Sequence, residues 1–190
     1  MRLPFIPTII VVAAMATMIG LGVWQLQRKA EKEALLVQYG AAAEMLPVAW
    51  PETPDTAYLY RRATGYCLAP VSWRAIAGQN IEGEAGWRHI ASCRTGGGEG
   101  PGMQAVMGWS QNFDDPEGWE GGEVTGTITL DPEYGLRLVS DEPVAGLEPV
   151  ARPTPEEIPN NHLLYAIQWF FFAAAAGIVY LLALRRRLRA

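Results

Sequence analysis

The chain has 190 residues, of which 49% are hydrophobic, and its net charge is −5. This charge is unevenly spread. The stretch 28–161 holds 10 basic and all 20 acidic residues, a net charge of −10, whereas the last six residues carry four arginines and no acid. The basic residues lie beside apolar segments and the rest of the chain is acidic, which argues against a nucleic-acid partner.

Two stretches carry no charged side chain, Leu3–Gln27 and Leu163–Leu184. A bilayer core needs about 20 apolar residues of helix, so both stretches predict transmembrane helices. The alternative for the first stretch is a cleaved signal peptide, which Arg2 favours. The apolar stretch is longer than such a peptide requires, and no small-residue cleavage site precedes Trp24.

Charge also predicts the orientation of the two helices. The arginine-rich tail predicts a cytoplasmic C-terminus, and two spans then place the N-terminus inside and the acidic middle outside. Arg28, Lys29 and Lys32 directly follow the first helix and by themselves favour the opposite orientation. Small residues spaced by four, Ala16/Gly20 and Ala173/Gly177, predict close packing of the two helices.

The first helix is expected to continue beyond the bilayer. Residues 25–39 contain no Gly or Pro and are rich in helix formers, which predicts roughly three to four further turns. Gly40 is the predicted stop. The predicted domains are a transmembrane helix at 1–25, a helical extension and linker at 26–45, an extracytoplasmic β-rich domain at 46–158, a transmembrane helix at 159–184 and a cytoplasmic tail at 185–190.

Short β-type runs separated by turn residues fill the middle of the chain. They are Tyr58–Leu68, Trp87–Cys93, Gln104–Trp109, Glu123–Leu130 and Leu136–Val139. This pattern predicts one small antiparallel β-rich (α+β) sheet or barrel. The fold class is thus a membrane protein with two transmembrane α-helices flanking one such domain.

Few residues of the middle domain suggest chemistry. Cys67 and Cys93 lie on candidate neighbouring strands, where a disulfide and two buried thiols are equally compatible with the sequence. The glycine-rich stretch Gly96–Gly102 lacks the ending of a phosphate-binding loop and is better explained as a hairpin loop. His89 has no second histidine nearby. We therefore expect no enzymatic activity.

The predicted outer membrane edge is more informative. There His162, Tyr165 and Trp169 share one face of the second helix. The first helix leaves the bilayer at the same depth, with Trp24, Gln25 and Arg28. Imidazole is a common axial ligand of haem iron, and aromatic rings suit a flat porphyrin. The alternative is that His162 is a polar anchor within an interfacial belt of Trp and Tyr.

Each of the two predicted helices carries a recognisable motif at the predicted outer membrane edge. Residues 21–28 read Leu-Gly-Val-Trp-Gln-Leu-Gln-Arg, which resembles the Leu-Gly-x-Trp-Gln-x-x-Arg signature of the surfeit locus protein 1 family. Residues 159–170, Pro-Asn-Asn-His-Leu-Leu-Tyr-Ala-Ile-Gln-Trp-Phe, are similar to the start of that family's second helix. Met107 and Gln168 depart from the family pattern, which usually has Arg and Thr there.

The resemblance implies an assembly factor for cytochrome c oxidase, in bacteria an inner-membrane protein that binds haem a. It implies His162 as the ligand of the haem iron, with Arg28, Gln25, Trp24, Tyr165 and Trp169 near the porphyrin or in helix packing. It also implies subunit I of the oxidase and the haem A biosynthesis machinery as partners, and a periplasmic central domain. The alternative is a membrane-anchored protein that docks on and stabilises oxidase subunits without a cofactor of its own.

Overall fold

The computed structural model describes residues 4–96 and 102–189. Most of the predicted glycine-rich hairpin loop, residues 97–101, lies outside the described residues. The chain forms two compact units. The first comprises the chain up to Leu36 together with the chain from Ile158 onward, and the second is Val37–Glu157.

The first unit consists of two long helices, α1 (Phe5–Ala43) and α2 (His162–Arg189). The last turns of α1, after Leu36, belong to the second unit. Both are long and apolar enough to cross a membrane. In the most apolar window of each helix only 6% of the residues are buried within the protein, so neither helix is covered as a soluble core helix would be. The two candidate spans suggest a membrane protein.

Small residues line the contact between α1 and α2, and the sequence predicted those on α2, Ala173 and Gly177, but not Gly22 on α1. A Cβ atom on Gly22 would lie 2.6 Å from the Phe170 ring, and one on Gly177 would lie 3.0 Å from Met15 Cε. A Cβ on Gly20 would have no neighbour within 4 Å, so the Ala16/Gly20 prediction was wrong for α1. The hydroxyls of Thr8 and Tyr180 also hydrogen bond between the helices.

Gly40 does not end α1, which continues to Ala43. The three residues after Gly40 are alanines, the strongest helix formers, and they offset the cost of one glycine. In the second unit, Tyr39 packs against Tyr60 with ring centroids 4.9 Å apart. The last turns of α1 are therefore held by the contact between Tyr39 and Tyr60, and the helix ends at Ala43.

The second unit is built on one seven-stranded sheet. Its strands are β1 (Val48–Ala49), β2 (Arg62–Cys67), β3 (Ala69–Gln79), β4 (Ala85–Arg94), β5 (Met103–Ser110), β6 (Gly122–Asp131) and β7 (Gly135–Ser140). The order is β1-β2-β6-β7-β5-β4-β3. The β1–β2 and β5–β7 pairs are parallel, so the sheet is mixed and the prediction of a purely antiparallel sheet was wrong.

The sequence pattern missed two strands, β1 and β3, and placed the start of β2 too early. The predicted run from Tyr58 begins with a short 3₁₀ helix, Thr56–Tyr58, before β2 starts at Arg62. The long strand β3 has a proline near its start and shows a register irregularity there. Proline is tolerated because β3 lies at an end of the strand order, where fewer backbone N–H groups are needed for pairing.

The sheet is curved enough to bring distant strands together. Only Leu68 separates β2 from β3, yet these strands lie far apart in the strand order. The structure settles the cysteine question in favour of a disulfide, which joins Cys67 of β2 to Cys93 of β4 with a Cα–Cα distance of 5.1 Å. Both cysteines are buried in the larger hydrophobic core, which also includes Met103 and Ile128. The disulfide thus ties two strands across that core.

We expect loss of the disulfide to lower the free energy of unfolding by about 3 kcal/mol, because the bond closes a loop in the unfolded chain and lies within the core. The comparison is the Cys67→Ser/Cys93→Ser variant against the unchanged protein, by urea denaturation of the full chain in detergent. Reductant should shift the denaturation midpoint of the unchanged protein and leave that of the variant where it was. Equal midpoints for the two proteins under oxidising conditions would contradict this role.

Candidate functional site

His162 and Gln25 meet between the two helices of the first unit. His162 is the first residue of α2, and its Nδ1 lies 2.8 Å from Gln25 Oε1 on α1. The backbone N–H of Tyr165 donates to the carbonyl oxygen of Asn161, which fixes the first turn of α2. The imidazole is only partly buried. The pair therefore holds a histidine ring in a fixed orientation at the end of a helix pair.

This hydrogen bond also determines which nitrogen of His162 carries the proton. The structure turns the amide oxygen of Gln25 toward the ring, and because that oxygen can only accept, Nδ1 donates to it. In a neutral imidazole the lone pair is then on Nε2. Among the described residues, His162 Nε2 has no hydrogen-bond partner. A ring held through one nitrogen, with the other nitrogen free to donate its lone pair, is the usual arrangement of a metal-ligating histidine.

Three aromatic side chains from the sequence prediction lie on the same two helices. Trp24 on α1 is 49% exposed and Tyr165 on α2 is 53% exposed. Trp169 is partly buried and makes an edge contact with Phe172, with ring centroids 6.3 Å apart. Within the part of the chain that the structure describes, Trp24 and Tyr165 make no ring–ring contact. Their flat faces are available to a ligand or to interfacial lipid.

Arg28 lies on α1 about one turn beyond Gln25 and has a local partner. Its Nη1 is 2.7 Å from Glu31 Oε2, and the two side chains are 53% and 60% exposed. Exposed ion pairs of this kind contribute little free energy. Arg28 can therefore exchange Glu31 for another anion at small cost.

Asn160 is a residue of this region to which the sequence pattern assigned no ligand role. Its Oδ1 is buried and accepts no hydrogen bond from any described residue. This places an unpartnered acceptor two residues before His162. The sequence carries a signal for it, since Asn160 belongs to the motif before α2 that the family resemblance rests on.

The other histidine, His89, is buried and hydrogen bonded within the β-rich unit. His89 is fully buried on β4, and its Nε2 lies 2.9 Å from Ser110 Oγ and 3.2 Å from the Asn112 carbonyl oxygen. Residues 4–96 and 102–189 contain no group of three or more His, Cys, Asp or Glu side chains that could hold a metal ion. His162 is therefore the histidine better suited to a ligand.

The Gln25–His162 contact depends on how closely the helices approach at Gly22. We expect Gly22→Val to destabilise the protein by about 1–3 kcal/mol, because the new side chain overlaps the Phe170 ring. Gly20→Val is the matched control, since a Cβ atom on Gly20 would have no neighbour within 4 Å. Thermal unfolding of the full chain in detergent measures both effects. Similar losses in the two variants would mean that Gly22 is not a packing contact.

Comparison with known proteins agrees with the motifs on α1 and at the start of α2. A sequence model of the SURF1 family matches residues 12–133 and 123–174, most of the chain. The matched ranges include Gly22, Gln25 and Arg28 on α1 and His162 and Trp169 on α2. No curated protein matches the chain.

Proposed function

The chain belongs to the SURF1 family, and on this premise we propose that it is a membrane-anchored assembly factor that binds haem a through His162. The family is generally associated with cytochrome c oxidase assembly. The observation that carries the haem proposal is the hydrogen bond from His162 Nδ1 to Gln25 Oε1. It leaves the lone pair of the imidazole on Nε2, the atom through which His162 would hold a haem iron.

The neighbouring residues have separate roles in this proposal. Gln25 fixes the tautomer and the ring orientation of His162. Arg28 gives up its exposed pair with Glu31 to bind a propionate carboxylate. Apolar, flat surfaces around a porphyrin come from the three aromatic residues, Trp24, Tyr165 and Trp169. When bound, the haem would supply a redox-active iron centre that takes the nitrogen ligand, set in a flat and largely apolar ring.

We also propose a location for the protein. The chain would lie in a bacterial inner membrane with both termini in the cytoplasm and the β-rich domain in the periplasm. The arginine-rich tail after α2 supports a cytoplasmic C-terminus. The Cys67–Cys93 disulfide supports a periplasmic domain, because disulfides persist in oxidising compartments.

The proposed partners follow from the handling of haem a. The protein would receive it from the haem A biosynthesis machinery and deliver it to, or stabilise it in, subunit I of the oxidase. This role requires capture and release and no catalytic step. A single protein ligand would suit this role, because it would leave the iron accessible to a receiving protein.

The alternative is a docking protein that stabilises oxidase subunits without a cofactor of its own. The exposed rings of Trp24 and Tyr165 favour this alternative, since Trp and Tyr in this position also occur as interfacial anchors. The existing pair between Arg28 and Glu31 is compatible with it as well. Only the fate of haem distinguishes the two functions.

We expect His162→Ala to abolish haem a binding, and Gln25→Leu to weaken it by about 10–100-fold, the usual effect of losing a residue that orients a metal-ligating histidine. Gln168→Leu, the same substitution at an exposed position of α2, should bind as the unchanged protein does. The measurement is the absorption spectrum and haem affinity of each full chain, purified from cells that make haem A.

An unaltered spectrum and affinity in the His162→Ala protein would contradict the ligand assignment. Absence of haem from the unchanged protein, together with loss of oxidase when the protein is deleted, would favour the docking function instead.

A further inference from the structure

A second group of charged side chains lies in the β-rich unit and takes no part in the haem proposal. Its centre is Asp131, at the end of β6, whose side chain is fully buried. Asp131 Oδ1 accepts hydrogen bonds from the backbone N–H groups of Glu133 and Tyr134, both at 3.0 Å. Its Oδ2 pairs with Arg74 of β3 and lies 3.8 Å from Arg137 Nη1 of β7.

Arg74 alone is enough to balance Asp131. Their ion pair joins β3 to the end of β6, although other strands lie between them in the sheet. Arg74 is further supported by Glu133 at 3.3 Å and by the Tyr134 ring, whose centroid lies 5.2 Å from its Cζ. With this pair in place, Asp131 keeps a pKa below its usual value: burial raises it, but the backbone N–H groups and Arg74 lower it more. A structural role therefore accounts for Arg74.

In the part of the chain that the structure describes, Arg137 has no comparably close ion pair that would explain its burial. Only 18% of its side chain is exposed, and its buried Nε, like that of Arg74, has no hydrogen-bond partner among the described residues. The 3.8 Å contact with Asp131 exceeds hydrogen-bond length. An unsatisfied donor on a largely buried guanidinium destabilises a fold, and an apolar side chain in its place would not. Thr127, on the adjacent strand β6, adds another buried polar atom without a partner, Oγ1.

Two further guanidinium groups act on Arg137. Burial lowers its pKa, and the charges of Arg74 and Arg88 lower it further, against the opposite effect of Asp131. Arg88 is held in place by the Gln79 carbonyl oxygen, 3.2 Å from Nε and 3.1 Å from Nη2. Arg74 and Arg137 thus both face one buried carboxylate, and Arg88 adds a third positive charge that acts on Arg137, in a stretch of the chain whose net charge is −10.

We propose that Arg137 is the centre of a binding site for an oxyanion, a carboxylate or phosphate group of a ligand, with Arg74 and Arg88 adding positive charge nearby. A guanidinium presents parallel N–H donors that match two oxygens of such a group. An oxyanion at the exposed part of Arg137 would accept the hydrogen bond that Asp131, at 3.8 Å, is too far away to accept, and would reduce the repulsion among the three arginines. The site lies entirely within the β-rich unit and does not depend on haem binding.

The test uses the thermal stability of the full chain in a neutral detergent. Phosphate and citrate should each raise the melting temperature in a saturable way, relative to sodium chloride at the same ionic strength. Arg137→Met should abolish this response while leaving the stability in sodium chloride equal or higher. Arg137→Lys keeps the charge without the planar fork and should weaken oxyanion binding by about tenfold. Arg94→Met, at an exposed arginine ending β4, should respond as the unchanged protein does.

A parallel comparison in lipid nanodiscs distinguishes the source of the oxyanion. Stabilisation by phosphatidylglycerol over phosphatidylcholine, lost in Arg137→Met, identifies a lipid headgroup, whereas a response to the soluble anions identifies a soluble ligand. The proposal is overturned if neither phosphate, citrate nor phosphatidylglycerol stabilises the unchanged protein. It is also overturned if Arg137→Met and Arg137→Lys respond as strongly as the unchanged protein.

Discussion

At Gly22 the backbone of α1 lies against the ring of Phe170, and a single methyl group there would come within 2.6 Å of that ring. Because this position carries no side chain, the two helices approach closely enough for Gln25, less than one turn further along α1, to reach His162. The small residue at the contact and the polar pair beside it belong together. Gly22 allows the two helices to approach, and the hydrogen bond between Gln25 and His162 then orients the imidazole.

The polar pair has a consequence that neither helix could provide alone. A histidine at the end of an apolar helix has two tautomers and a ring free to rotate. Gln25 removes that freedom by accepting from Nδ1, so the ring presents Nε2 in one direction. In the proposed haem-binding role, a ring oriented in this way would present one nitrogen to the iron. In the β-rich unit, the Cys67–Cys93 disulfide cross-links two strands across the core.

Much of this architecture follows from the sequence, and the exceptions have physical reasons. Uncharged stretches of sufficient length predicted α1 and α2. Local preference failed at Gly40, where three following alanines carry the helix onward. It failed again at β3, since a strand at the end of a sheet can include proline and need not alternate strictly. The disulfide could not be deduced, because spacing alone does not say which strands the curvature of a sheet brings together.

The candidate site, too, could be predicted from the sequence only in part. The sequence and its family resemblance identified His162 and Gln25 as residues of interest, but only the structure pairs their side chains. Arg137 carried no signal at all, because the groups that make it unusual come from β3, β4 and β6. Residues that act through neighbours distant in the chain are visible only once the fold is known.

The central claim, that Gln25 fixes the tautomer of His162, is tested most directly by ¹⁵N NMR of the histidine rings in the full-length protein without haem. We expect His162 in its neutral form to carry its proton on Nδ1, and this preference to be lost in Gln25→Leu but kept in Gln168→Leu. A ring protonated on Nε2, or a tautomer ratio unaffected by Gln25→Leu, would contradict the account.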